Sequence, residues 1–111
     1  MRIAAIQHDI VWNDRDANFA RLAPLIAAAA GAGAGLVLLT ETFSTGFAVD
    51  TPDLAEAEGG PSSQFLQAQA AQHGAWVCGS CPETGHDTRR GRSFRFRLST
   101  KVDARAVVNV S

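Results

Sequence analysis

Three kinds of side chain in this 111-residue sequence have the chemistry for a reactive site: a carboxylate after an apolar run, a pair of cysteines and a single lysine. The carboxylate is Glu41, directly after Leu36-Val37-Leu38-Leu39-Thr40 and before Thr42-Phe43-Ser44-Thr45-Gly46-Phe47. In open α/β sheets ligands gather at the carboxyl ends of strands, where the first loop residues face a shared crevice. A glutamate there, between an apolar strand and a Phe-Ser-Thr-Gly-Phe loop, is expected to be partly desolvated. Desolvation raises a carboxyl pKa and suits it to general acid–base work. Position alone leaves an ordinary solvated loop carboxylate as the alternative.

The cysteines stand as Cys78-Gly79-Ser80-Cys81. A thioredoxin-type pair needs its first cysteine at a helix N-terminus, but here Pro82-Glu83-Thr84-Gly85 follows and no helical pattern begins. If residues 75–80 form a strand, the odd separation sends Cys78 and Cys81 toward opposite faces, and structural thiols are the expectation. A zinc half-site with His73 and His86 lacks a convincing fourth ligand, so no metal is expected. Lys101, in Leu98-Ser99-Thr100-Lys101-Val102-Asp103, reads as a solvated lysine. Gly31-Ala32-Gly33-Ala34-Gly35 follows a helical pattern and opens a strand, the reverse of a phosphate-binding loop.

The elements that must position these residues can be read in order. Residues 2–7 have the small and branched apolar composition of a strand buried on both faces. Asn13 or Asp14 offers a helix cap, with Asp16 in the first turn. Phe19, Leu22, Leu25, Ile26 and Ala29 recur at helical spacing, with Pro24 expected to kink the helix or shift its start. The glycines from Gly31 supply its C-cap. Residues 36–39 are the clearest buried strand. Pro61-Ser62-Ser63 opens a second helix, with Ser62 as its cap and His73-Gly74 as its close. Residues 75–80 make a third strand. The β-α-β-α-β order predicts an α/β fold with adjacent strands in one sheet. Beyond Pro82, residues 93–98 alternate Phe with Arg, and 104–110 could form one more strand.

The stretch from Leu36 to Phe47 resembles the first signature of the nitrilase, or carbon–nitrogen hydrolase, superfamily: an apolar strand, a glutamate, then an aromatic and a Gly-aromatic pair. Ile3-Ala4-Ala5-Ile6-Gln7 is similar to the family's opening strand, and Asn18 sits in the first helix as in the family. Gly59-Gly60-Pro61 resembles the turn before the second helix, and Gly79-Ser80-Cys81-Pro82-Glu83 the end of the third strand. Thr40 stands where many members carry proline, a departure compatible with the amidase branches. The resemblance implies the N-terminal portion of an α-β-β-α sandwich, incomplete here, that assembles as a dimer or larger oligomer. It also implies a cofactor-free thiol hydrolase of small amides or nitriles. In such an enzyme a cysteine attacks, a glutamate acts as general base and a lysine stabilises the oxyanion. Only Glu41 maps onto this scheme, with Phe47 implied beside the substrate. Lys101 lacks the aromatic and basic neighbours of the family's lysine, and the family's cysteine would lie well beyond residue 111.

Charge divides the chain. Residues 1–88 hold three arginines against ten acids, whereas 89–111 hold six arginines and Lys101 against Asp103 alone. The expected organisation is therefore an N-terminal hydrolase portion over 1–83 and a basic tail of uncertain origin over 84–111. Arginine-rich sequence replacing alanine- and glycine-rich sequence is what a frame change in GC-rich coding DNA produces. On that reading the chain is an inactive fragment; a second reading has another chain supply the missing half. The alternative from a different class is a non-catalytic module whose Arg/Phe tail binds RNA or single-stranded DNA, which the solvated-strand reading outweighs. Hydrophobic residues make up 46% of the chain, enough for a core. The opening residues lack the cationic and long apolar pattern of a signal peptide, and no apolar run of about 18 residues occurs, so a soluble cytoplasmic protein is the expectation.

Overall fold

Three parallel strands and the two helices between them realise the β-α-β-α-β order: β1 (Arg2–Ala5), α1 (Arg15–Gly31), β2 (Ala34–Leu38), α2 (Pro61–His73) and β3 (Trp76–Glu83). The computed structural model describes residues 1–46, 55–83, 93–99 and 105–110, with side chains over 1–46 and 55–82. Ala4, Val37 and Val77 lie side by side across the parallel strands, flanked by the rows Ile3–Leu36–Trp76 and Ala5–Leu38–Cys78. Two antiparallel strands, β4 (Ser93–Ser99) and β5 (Arg105–Val110), complete a sheet in the order β1-β2-β3-β4-β5. The alternating and terminal segments after Pro82 thus form strands.

Both helices pack on the same face of the sheet. There Leu22 and Ile26 of α1 meet Val37, Val77, and Leu66 and Ala70 of α2 in one buried cluster. Among the described residues the other face has no such cover. Ile3 is 61% exposed, Leu38 37% and Trp76 37%. The expectation that β1 is buried on both faces fails for this reason, and β2 is buried only through its helix-facing Val37.

The helix ends show which local signals held. Asp14 caps α1 by accepting from the Ala17 amide at 3.0 Å. Pro24 does not shift the start, because α1 begins at Arg15 and continues through it. Proline removes one helical donor, and the carbonyl it orphans belongs to Ala20, an exposed residue that water can reach. At its other end α1 runs through Gly31 and is capped by Ala32, and Gly33 at φ 94° makes the reversal into β2. Helix α2 is capped by Gly60, not Ser62, with Pro61 at its first position. Gly74, in the left-handed conformation, closes it as expected. Among the described residues no helix is long and apolar enough to cross a membrane.

Candidate active site

Beyond the end of β2 the chain makes a tight turn over residues 41–46. Glu41 is exposed, while Thr42, Phe43, Ser44, Thr45 and Gly46 are all buried. The expected partial desolvation of Glu41 is therefore not found. The aromatic residue that could have shielded it, Phe43, is fully buried in the core and stands 6.1 Å from Phe65 and 6.3 Å from Phe19, centroid to centroid.

Thr42 has φ 49°, a left-handed backbone that a β-branched residue rarely adopts. Such a conformation costs on the order of 1–3 kcal/mol and persists only where its surroundings enforce it. Here they do. The Thr42 amide donates to Ser80 Oγ at 2.9 Å, and its hydroxyl donates to the Glu41 carbonyl at 2.7 Å. The Thr42 carbonyl accepts from the amides of Thr45 at 3.2 Å and Gly46 at 2.9 Å. The residue after Glu41 is thus locked to the end of β3, and the direction in which Glu41 leaves the sheet is fixed.

Neighbouring elements brace the same turn. Asn18, fully buried on α1, donates from Nδ2 to the carbonyls of Val11 and Ser44, each at 2.7 Å, and its Oδ1 accepts from the Val11 amide at 2.7 Å. His8, in the loop after β1, lies with Nε2 3.2 Å from the Phe43 carbonyl and Nδ1 3.5 Å from Thr40 Oγ1. Burial pushes its pKa below the ordinary value; Arg21 pushes the same way, while the Phe43 hydrogen bond and Asp9 oppose. Two glycines are explained by close approach. A side chain at Gly79 would begin 2.7 Å from the Phe43 ring, and one at Gly46, where φ is 72°, only 2.6 Å from Trp12.

Sequence reasoning passed over His8, Ser80 and Glu56. The last is 5% exposed and forms an ion pair with Arg15 at 2.8 Å. A glutamate between two alanines, with a second two residues on, carries no local signal of burial, so only its three-dimensional neighbours reveal it.

The cysteines lie on opposite sides of β3, as their odd spacing predicts: Cys81 is buried and Cys78 half-buried on the uncovered face. Both are free thiols, and burial pushes the Cys78 thiol up. His73 ends α2, far in sequence from His86, which lies outside the described residues. Phe47 and Lys101 also lie outside the described residues.

The described geometry can be set beside known proteins. The carbon-nitrogen hydrolase family model matches residues 2–97. A CN-hydrolase superfamily protein from Xanthomonas campestris, crystallised with an arsenic adduct in its active site, is 30% identical with a TM-score of 0.84. That likeness covers 96% of this chain and 39% of the other. The amidase from Nesterenkonia sp. AN1, solved as a glutamate-to-glutamine mutant with acrylamide added at the active site cysteine, is 23% identical with a TM-score of 0.80 over 98% of this chain and 43% of its own. Nit3 of Saccharomyces cerevisiae, a member of branch 10 of the nitrilase superfamily, is 20% identical with a TM-score of 0.77 over 96% and 42%. The last two likenesses bear on the fold alone. This chain spans 39–43% of the length of these three structures. No curated protein matches it.

Proposed function

The chain belongs to the carbon–nitrogen hydrolase family, and from that premise we propose that it carries the general-base arm of a hydrolase of small amides or nitriles, with Glu41 as the base. The observation that carries this reading is the braced turn. An exposed glutamate follows the carboxyl end of a parallel strand, and the strained residue after it is held by hydrogen bonds to Glu41, Ser80, Thr45 and Gly46. Strain kept in place by its surroundings is a mark of functional sites. A general base must come within hydrogen-bond reach of the proton it takes, so exposure at the carboxyl end of the strand serves the role.

In the thiol mechanism that the family resemblance implies for an amide, a cysteine sulfur bonds to the acyl carbon and Glu41 takes the thiol proton. The proton passes to the departing nitrogen as the carbon–nitrogen bond breaks. Water, deprotonated by the same carboxylate, then cleaves the thioester, and a lysine ammonium stabilises the oxyanion in each half. Neither described cysteine suits the nucleophile's part. Cys81 is buried, and Cys78, with its thiol pushed up, holds little thiolate at neutral pH. Phe47 keeps its proposed place beside the substrate from the motif alone, and the cytoplasm remains the proposed location.

On this reading the 111-residue chain by itself does not turn over. Incubated with small aliphatic amides and nitriles, it should release no ammonia, and mass spectrometry should find no acyl group on Cys78 or Cys81. Ammonia release abolished by Cys78→Ser or Cys81→Ser would overturn this account, since the nucleophile would then lie within the chain.

A further inference from the structure

We propose that Glu56 is a positioning residue for Glu41, acting on the 41–46 turn through Ser62 and Ser44. This rests on the reading of Glu41 as the base. Four segments meet at Glu56. Its Oε2 accepts from Arg15 Nε at 2.8 Å, at the start of α1. Its Oε1 accepts from the Ser62 amide at 2.6 Å in the first turn of α2. Its own amide donates to the Pro82 carbonyl at 2.9 Å, near the end of β3. The fourth link reaches the turn itself. Ser62 Oγ donates to Glu56 Oε2 and lies 2.7 Å from Ser44 Oγ. A hydroxyl has one proton to give, so with Ser62 donating to the carboxylate, Ser44 donates to Ser62. The polarity of the chain Ser44–Ser62–Glu56 is thereby set by the carboxylate charge at its end.

Capping α2 alone does not call for this arrangement. One neutral acceptor satisfies a helix start, whereas burying a carboxylate with a guanidinium carries a large desolvation penalty. What the ion adds is a charge-assisted, directional hold on Ser44. Ser44 is also the residue whose carbonyl Asn18 grips, at 2.7 Å. The turn is therefore clamped at the Ser44 hydroxyl by Ser62, which Glu56 holds in turn, at the Ser44 carbonyl by Asn18 and at Thr42 by Ser80. Gly60 completes the fit, because a Cβ there would stand 2.9 Å from the Glu56 Cβ.

The left-handed Thr42 provides the readout. Its Cα and Cβ chemical shifts in isotope-labelled chain report its backbone conformation directly. Ser44→Ala removes the donor and leaves the Glu56–Arg15 pair intact; Glu56→Gln removes the charge. Both should move the Thr42 shifts away from left-handed values and speed exchange of the Thr45 and Gly46 amides about tenfold, as expected for one lost buried hydrogen bond. Amides in the middle of α1 should keep their rates. If Thr42 and these two amides are unchanged in folded Ser44→Ala, Glu56 serves only to hold α2 and the proposal is wrong. Should Glu56→Gln fail to fold, Ser44→Ala decides alone. Neither signal depends on turnover, so failure here leaves the assignment of Glu41 as base standing, and the converse also holds.

Discussion

His8 bridges the two sides of Glu41, with one ring nitrogen facing Thr40 and the other facing the Phe43 carbonyl. The arrangement suits a neutral imidazole, donating from Nε2 and accepting at Nδ1. Burial, the largest influence, lowers its pKa from the ordinary 6.5. The folded state then binds fewer protons than the unfolded state between that lowered value and 6.5, so stability falls as pH drops through this window. Above 6.5 the contribution is fully present. Denaturant midpoints measured at a series of pH values should show this loss in the wild type and a flatter profile in His8→Gln. Gly79→Ala tests the packing below the turn. Its new methyl would start 2.7 Å from Phe43, and overpacking of this kind costs about 1–3 kcal/mol, readable as a lower denaturant midpoint. Of this site the sequence displays Glu41, Gly46 and Gly79, because their strand-end spacing and small size are local features. It hides Glu56, Ser80 and His8, whose partners Arg15, Thr42 and Phe43 lie 35 or more positions away in the chain.

At the scale of elements, the strand and helix order follows from periodicity and from turn residues, and every segment so read exists in the sheet or on its helical face. The errors fall where a local rule met a tertiary fact. Ser62 has the side chain of a cap, yet it serves Glu56 and Ser44 while Gly60 takes the cap position. Apolar residues in β1 imply burial, but burial needs a covering layer, and among the described residues only the helix face has one. Pro24 breaks a helical rule without ending the helix, because both it and Ala20 face outward. Pro24→Ala should restore one backbone hydrogen bond and stabilise the chain, with about 3 kcal/mol as the ceiling set by intrinsic helix propensity. A rise in thermal midpoint with unchanged far-ultraviolet circular dichroism checks it.

For the whole molecule, the two faces of the sheet are unequal. Ile3, Leu38 and Trp76 form an exposed apolar surface over adjacent strands, of the kind that binds hydrophobic dyes and promotes self-association. The 111-residue chain should enhance anilinonaphthalene sulfonate fluorescence, and Trp76→Lys together with Leu38→Lys should diminish it. The family match continues past residue 83 to residue 97, into β4, so the change of charge beginning at Arg89 overlaps the matched region. The central claim is that Glu41 is the base. Its most direct test joins residues 1–97 of this chain to the remainder of the Xanthomonas campestris protein, whose fold it shares at a TM-score of 0.84. Ammonia release from small amides is then measured with Glu41 and with Glu41→Gln. The account predicts turnover by the first chimera and a loss of about 10²–10⁴-fold in the second. A folded chimera that hydrolyses no faster with Glu41 than with glutamine would contradict it.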